Sequence, residues 1–322
     1  MARKRKKKMR YSGIGGQAVL EGIMMKNKDK YSVVVRTPDG DIDVAVEEYE
    51  PFVGSKTLYK IPFVRGIFNF IDSMVLGMRT LNYSASFYEE EKDTHKREPI
   101  FDRIFKDNAE KVLSGISIVL SIIIALGLFL VLPYYISQLF NKFITSETAI
   151  AIIEGCLRVL IFVLYIVFIS CMKDIKRVFM YHGAEHKCIN CIEHGKPLTV
   201  DNVRAASRQH KRCGTSFLFF VVFISIVLFI FIRVDDPVMR IIIRILLIPV
   251  IAGISYEILR LAGKSNNIIV RILSAPGMLL QKLTTREPDD DMIEVGIAAV
   301  DAIFDWRKYL ESEFGVDFDN DL

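Results

Sequence analysis

Residues Thr215-Ser-Phe-Leu-Phe-Phe-Val-Val-Phe-Ile-Ser-Ile-Val-Leu-Phe-Ile-Phe-Ile232 run without one charged side chain. Unpaired peptide groups are costly in hydrocarbon, so a run of about 20 apolar residues reads as a helix that crosses a bilayer. Three further stretches share the property. Val112 to about Phe140 holds no charge and one proline, Pro133. Ala149–Met172 is interrupted only by Glu154 and Arg158, and Ile241–Ala262 by Arg244, Glu257 and Arg260. A chain of 322 residues that is 51% hydrophobic, with a mean hydropathy of +0.31, is too apolar for a soluble domain of that length. The expected fold class is mainly α: a polytopic membrane protein with about four transmembrane helices, amphipathic helices and a small N-terminal β element.

The flanks of these stretches set an orientation. Lys173, Lys176, Arg177, Lys187, Lys196, Arg204, Arg208, Lys211 and Arg212 crowd the segment between the second and third stretches, whereas Asn141–Thr148 holds only Lys142. Cytoplasmic loops carry the excess of Lys and Arg, so this segment and both termini are expected in the cytoplasm of a multi-pass protein of the bacterial cell membrane. No apolar h-region follows the basic start, so no signal peptide is expected. The reducing side of the membrane leaves the five cysteines without a structural disulfide role.

Three regions follow: a cytoplasmic N-terminal region over 1–110, a four-helix membrane domain over 111–262 carrying a cytoplasmic His/Cys loop at 173–214, and a cytoplasmic C-terminal region over 263–322. In the first, Tyr31–Glu48 reads as a hairpin around Pro38-Asp39-Gly40, because Pro fixes φ and Gly accepts positive φ. Pro62–Ala85 repeats an apolar face at helical spacing, Glu89–Glu98 is a charged linker, and the glycine-rich Gly13–Gly22 reads as a turn. In the loop, Thr199 or Asp201 is placed to cap a helix running to about Arg212. In the last region Ala275-Pro276-Gly277 is expected to break the chain, with an amphipathic helix from Met292 to about Leu310. The first ten residues are almost wholly basic. A solvated tail is the plain reading, with attraction of residues 3–10 to anionic lipid, or to RNA, as the alternative; no specific nucleic-acid partner is expected.

The chemistry concentrates in Tyr181-His182-Gly183-Ala184-Glu185-His186-Lys187. Histidines at i and i+4 share one helix face with Glu185 beside them, as a divalent metal requires, and the H-x-x-E-H order matches the inverted zincin signature. Three arrangements compete. In one, His182 and His186 ligate Zn2+, Glu185 is base or ligand, and His210, Cys213 or Glu257 completes the set. In another, Cys188-x-x-Cys191 and His210-x-x-Cys213 form a closed structural site with the spacing of a zinc ribbon. In the third no metal is bound, and His182, Glu185 and His186 brace the loop by hydrogen bonds. Glu257 stands out because an ionisable group in an apolar segment is expensive and has a partner or a function; an ion pair with Arg260 or Arg244 is the plain account, as Glu154 with Arg158 is at i and i+4. Gln17 and Glu21 line a site only if the glycine-rich segment folds back onto the loop.

Several motifs, taken in order, resemble one family. Gly15-Gly16-Gln17-Ala-Val-Leu-Glu21-Gly22, the Tyr181–Lys187 motif, His210-Lys-Arg-Cys213-Gly-Thr-Ser-Phe217, and Pro276-Gly277 followed by Gln281-Lys-Leu-Thr-Thr-Arg-Glu-Pro288 are similar to the YqhQ-type family of bacterial membrane proteins. That family has no established function and is sometimes labelled a metal-dependent enzyme; the likeness spans about residues 10–310. It implies that His182, Glu185, His186, His210 and Cys213 form the shared cluster, since Cys188 is not a fixed part of the family's pattern. Lys211 stands where the family often has proline, which bears on the local turn.

The expected function is a zinc-dependent integral membrane protein, a hydrolase at the cytoplasmic membrane face with metal-activated water and Glu185 as proton shuttle. The alternative is a non-enzymatic scaffold or regulator that binds another membrane protein and keeps the cluster as a structural brace. A transporter ranks lower, since few intramembrane charges and no internal repeat supply a pathway.

Overall fold

A computed structural model describes residues 9–54, 57–88, 109–232, 234, 236–264 and 267–318. The basic residues 3–8, the charged linker 89–98, and Arg233 and Asp235 lie outside the described residues. Four strands come first: β1 (Gly15–Val19), β2 (Gly22–Asn27), β3 (Lys30–Arg36) and β4 (Ile42–Glu48). Helices α1 (Val64–Ser86), α2 (Ala109–Leu126), α3 (Leu132–Gln138) and α4 (Glu147–Ser170) follow. Then come α5 (Lys173–Glu193), α6 (Val200–Arg204), α7 (Gly214–Phe231) and α8 (Pro237–Leu246). The chain closes with α9 (Ile248–Lys264), α10 (Ile268–Thr284), α11 (Asp290–Asp301) and α12 (Trp306–Phe314).

The fold is mainly helical with a small antiparallel sheet, and its apolar helices fit a membrane protein. Gly115–Lys142, Glu147–Ser170 and Gly214–Phe231 are long and apolar enough to cross a bilayer. The fourth expected crossing is a pair, Pro237–Leu246 and Ile248–Ala262, bent by 42°. Two compact units share the chain, one built of Met1–Tyr88, Ile166–Val221 and Pro249–Leu322, the other of Glu89–Tyr165 and Val222–Ile248.

In the first unit the sheet is a meander in the order β1-β2-β3-β4, antiparallel throughout. The hairpin expected at 31–48 is β3–β4, with Arg36 opposite Ile42 and Gly40 at φ 91 in the turn. The glycine-rich stretch is not a mere turn. Gly15–Asn27 is a second hairpin, closed by Leu20-Glu21 with Glu21 at φ 47. Glycines hid its strand character because they carry no side chain to alternate. Both faces of the sheet are covered, so β2 and β3 read as continuous apolar runs. Ile23, Met25 and Val34 join Ala184, Cys188, Ile189 and Ile192 of α5 and Ile293, Val295 and Ala299 of α11 in one core. Val19, Met24, Tyr31, Val33 and Val35 pack with Leu76 of α1 in another.

Four expectations change. The segment 173–214 is no loose loop, because its first half is the 21-residue helix α5, buried along most of its length from Tyr181 onward. The helix capped by Thr199, whose side chain accepts from Asn202 N–H, ends at Arg204. Pro276 does not break its helix; α10 runs through it, and Gly277 lets the helix meet Ser216, whose Oγ would lie 2.9 Å from an added Cβ. The helix expected from 292 to 310 is two, because Asp305 caps a new start by accepting from Lys308 N–H while Trp306 Nε1 donates to Asp301.

Glu257 pairs with neither arginine as first choice. Arg65 of α1 holds it, with Nε 2.6 Å from Oε1 and a second donor on Oε2, while Arg260 lies at 4.0 Å. Gly66 and Gly253 bring α1 and α9 backbone to backbone there, since an added Cβ at Gly66 would sit 3.0 Å from Gly253 Cα. In the second unit Glu154 does pair with Arg158 at 2.7 Å, and Arg244 completes the set at 2.6 and 2.9 Å. All three side chains are buried. Breaking a buried ion network costs about 3–5 kcal/mol, because the surviving charges keep their desolvation penalty. Glu154→Gln is therefore expected to lower the unfolding midpoint in detergent substantially; an unchanged midpoint would show that the network is dispensable.

Candidate metal centre

The site is built on α5. Tyr181–Glu193 is flanked by apolar core on one side, while the other side presents polar groups that are themselves buried. Such groups persist inside a protein only when hydrogen-bonded. Here their partners are backbone carbonyls of the last residue of α6 and of the segment that follows it. Lys187 Nζ donates to Arg204 O at 2.8 Å and Ala206 O at 3.0 Å. Asn190 Nδ2 donates to Ser207 O and Gln209 O at 2.7 and 2.9 Å, and His186 Nδ1 donates to Arg208 O at 2.6 Å. Gln281 of α10, fully buried, grips His210 by both backbone groups at 2.8 Å each. The segment is thereby threaded to Cys213, which heads α7.

Three donors converge. One nitrogen of His182, one of His186 and Cys213 Sγ lie within 4.8 Å of one another. His182 Nε2 is 3.2 Å from Cys213 Sγ, and the two imidazole rings, at i and i+4, have centroids 4.4 Å apart. Each ring is oriented from behind, since His182 Nδ1 donates to Thr284 O at 2.9 Å as His186 Nδ1 does to Arg208 O. A carbonyl oxygen only accepts, so Nδ1 carries a proton and Nε2 is the nitrogen that faces the cluster, the arrangement found behind metal-ligating histidines. Glu185 Oε2 lies 3.4 Å from His186 Nε2. A cavity of about 100 Å³ opens among these groups, lined also by Gly15, Gly16, His210 and Arg212.

The electrostatics favour a thiolate. Burial pushes the Cys213 thiol up, but the His182 and His186 rings outweigh it and hold the group well below the ordinary thiol range. Thr215 N–H, at the start of α7, adds a donor 3.4 Å from the sulfur. Burial works against a charged His186, yet Cys213 and then Glu185 raise it to about 9; His182 is raised by Cys213 against the same penalty.

The other sequence candidates have partners of their own. His210 shares the cavity, 5.8 Å ring to ring from His186, with Nε2 3.3 Å from Glu193 Oε2; burial and then Arg212 keep its pKa below the usual value. The Gln17 amide lies against Gly77 of α1, Glu21 pairs with Arg177 and accepts from Tyr181 at 3.3 Å, and Glu257 belongs to the α1–α9 contact. Cys188 and Cys191 turn into the core, where Cys191 Sγ reaches Pro197 O at 3.4 Å and Cys188 faces Gly296 of α11. Among the described residues they form no group with His210 and Cys213. Sequence reading passed over Gly183, Glu193 and the Thr284 carbonyl, whereas the Gly15-Gly16 pair is a stretch where backbone can approach another element closely. At Gly16 and Gly183 the missing Cβ admits the neighbour: Glu185 Cγ would lie 2.7 Å from a Cβ on Gly16, and a Cβ on Gly183 would collide with Arg286 O.

Two predictions follow from this packing. Gly183→Ala drives a methyl into the Arg286 carbonyl and away from the Thr284 bond, so thermal unfolding is expected to show a loss of roughly 1–3 kcal/mol or more; wild-type stability would contradict the contact. Glu193 accepts from Ser12, His210 and Arg212. Burial alone raises it, but the His210 bond and the Arg212 charge hold it at about 2 against an ordinary 4.5. A depressed carboxylate stabilises above its unfolded pKa and loses that contribution as pH falls through the folded one. The stability gap between wild type and Glu193→Gln is thus expected to close by about 3 kcal/mol between roughly pH 4.5 and 2, followed by denaturant titration; a gap independent of pH would refute it.

The family model described as protein of unknown function (DUF1385) matches residues 61–306. An uncharacterized protein, YqhQ of Bacillus subtilis (strain 168), is 37% identical over 292 residues, covering 88% of this chain and 89% of the relative. No solved structure matches. The resemblance carried by the Tyr181–Lys187 and His210–Phe217 motifs therefore holds over most of the chain, and this protein is a member of the DUF1385 family, whose function is unknown.

Proposed function

We propose that this chain is a zinc-dependent hydrolase of the membrane, working at the cytoplasmic face with His182, His186 and Cys213 as metal ligands. The observation that carries the reading is the convergence of two imidazole nitrogens and one depressed thiol, each held from behind by its own hydrogen bond. Ligands about 2.0–2.3 Å from a tetrahedral ion stand roughly 3.4–3.6 Å apart, and the His182–Cys213 separation of 3.2 Å lies near that range. The nitrogen and thiolate donors suit zinc better than magnesium or calcium, which take oxygen. Once bound, the ion would act as a Lewis acid, and three protein ligands leave a position for water.

The residues around the donors have separate tasks. Thr284 and Arg208 carbonyls fix the histidine tautomers, and the α7 amide end holds the thiolate. Glu185 is 5% exposed, one turn from His182 and in reach of His186; it takes a proton from the attacking water and returns it to the leaving group. His210 walls the cavity and keeps to Glu193. The cytoplasmic assignment rests on the Lys and Arg excess of 173–214. The depth of the site, with His186 1% and Cys213 6% exposed, favours one rival: a structural brace in a non-enzymatic scaffold for another membrane protein.

Elemental analysis of protein purified in detergent is expected to give about one zinc per chain, lost in His182→Ala/His186→Ala. Absence of metal from wild type would end the reading. Glu185→Gln is expected to keep its zinc and lose at least ~100-fold in hydrolysis of chromogenic ester or amide probes. Zinc retained with no hydrolysis by wild type on any probe would favour the scaffold.

A further inference from the structure

The second unit holds a polar cavity unrelated to the His/Cys cluster. It measures about 170 Å³ and is lined by Gln138, Asn141, Glu154, Arg240 and Arg244, with Ile230, Ile232 and Val234 on one wall. One water needs roughly 10–15 Å³ of such space, so the cavity admits a group of several heavy atoms. Glu154 and Arg244, two members of the buried triad, line it. Glu154, Arg158 and Arg244 are each 4% exposed, giving two guanidinium groups against one carboxylate. That carboxylate is fully engaged: Oε1 accepts from Arg158 and Arg244, and Oε2 from Arg244. Arg158 spends its other donors on Ser225 Oγ at 3.2 Å and Phe129 O at 3.0 Å, both neutral. Among the described residues the triad itself thus carries a net charge of +1, and an uncompensated ion inside an apolar body costs several kcal/mol.

Arg240 adds a second source of positive potential at the same cavity. It is half-buried, donates Nε–H to Val234 O at 2.7 Å, and lies with its guanidinium 5.3 Å from the Tyr134 ring centre. The Gln138 and Asn141 amides, joined at 2.5 Å, supply neutral donors on the same wall. Glu147 also lines the cavity, which disfavours a multiply charged guest over a single charge.

We propose that this cavity binds a singly charged phosphate-type oxyanion, seated between Arg240 and Arg244 and offsetting the excess charge of the Glu154 triad. Arginine forks suit that geometry, with two parallel N–H donors for two oxygens. The same chemistry is supplied by an inorganic phosphate or by the headgroup phosphate of an anionic lipid, and the experiment separates them.

The full chain in neutral detergent is heated with inorganic phosphate, against sodium chloride at equal ionic strength, and in parallel with mixed micelles containing phosphatidylglycerol or only phosphatidylcholine. A saturable rise in the unfolding midpoint is expected with phosphate if the guest is a free ion, or with phosphatidylglycerol alone if it is a lipid. Arg240→Gln is expected to weaken the effect roughly 10- to 100-fold, the worth of charge-assisted hydrogen bonds, while Arg240→Lys restores part of it. Because Arg240 sits at the cavity wall and outside the triad, its variants are expected to elute as wild type does. A rise with neither probe, or an equal rise in Arg240→Gln, overturns the proposal. Zinc content is unaffected either way, so this outcome is independent of the hydrolase reading.

Discussion

A buried polar stripe must find partners, and in this protein the stripe on α5 finds them in one stretch of irregular backbone. Leaving a buried donor unmatched costs more than a made hydrogen bond returns, so Lys187, Asn190 and His186 tie down the carbonyls of 204, 206, 207, 208 and 209. The segment has no regular hydrogen-bond ladder of its own. Its conformation is dictated by side chains that sit on a helix, and helices are rigid. That is why Cys213 arrives beside two histidines separated from it by 31 and 27 positions.

The same helix serves two solvents. Its apolar side closes the core with β2, β3 and α11, fixing its rotation about its own axis. Rotation decides everything about the site: a residue two positions along from His182 would face the sheet. Glycines then set the distances. Gly16 lets β1 lie on Glu185, and Gly183 lets the 284–286 strap lie on α5 so that the Thr284 carbonyl reaches His182. A methyl at either point would separate elements by a few tenths of an ångström or more, and a coordination sphere tolerates little of that.

Charges buried elsewhere obey a different rule. Glu257 with Arg65, and Glu154 with Arg158 and Arg244, join helices through bidentate or shared contacts that hydrocarbon neighbours would not supply. Within the membrane-type helices such contacts specify which faces meet, because the apolar surfaces alone are nearly interchangeable. The acid partner in both cases lies far along the chain from at least one arginine, so nearest-neighbour spacing found Arg158 and missed Arg65 and Arg244.

Sequence alone determined the apolar spans, the β3–β4 hairpin, α1 and the His182–Glu185–His186 face, because each depends on periodicity within about 20 residues. It also marked Cys213 and His210 as members of one shared pattern. It did not reveal that Gly15–Asn27 is a hairpin, that Pro276 lies inside a helix, or that His210 turns to Glu193 while Cys213 turns to His182. Those outcomes rest on contacts between segments distant in the chain, where a carbonyl at 284 or a glycine at 183 decides which donor reaches the cavity. Local pattern fixes which way a side chain leaves its helix; only packing fixes what it meets.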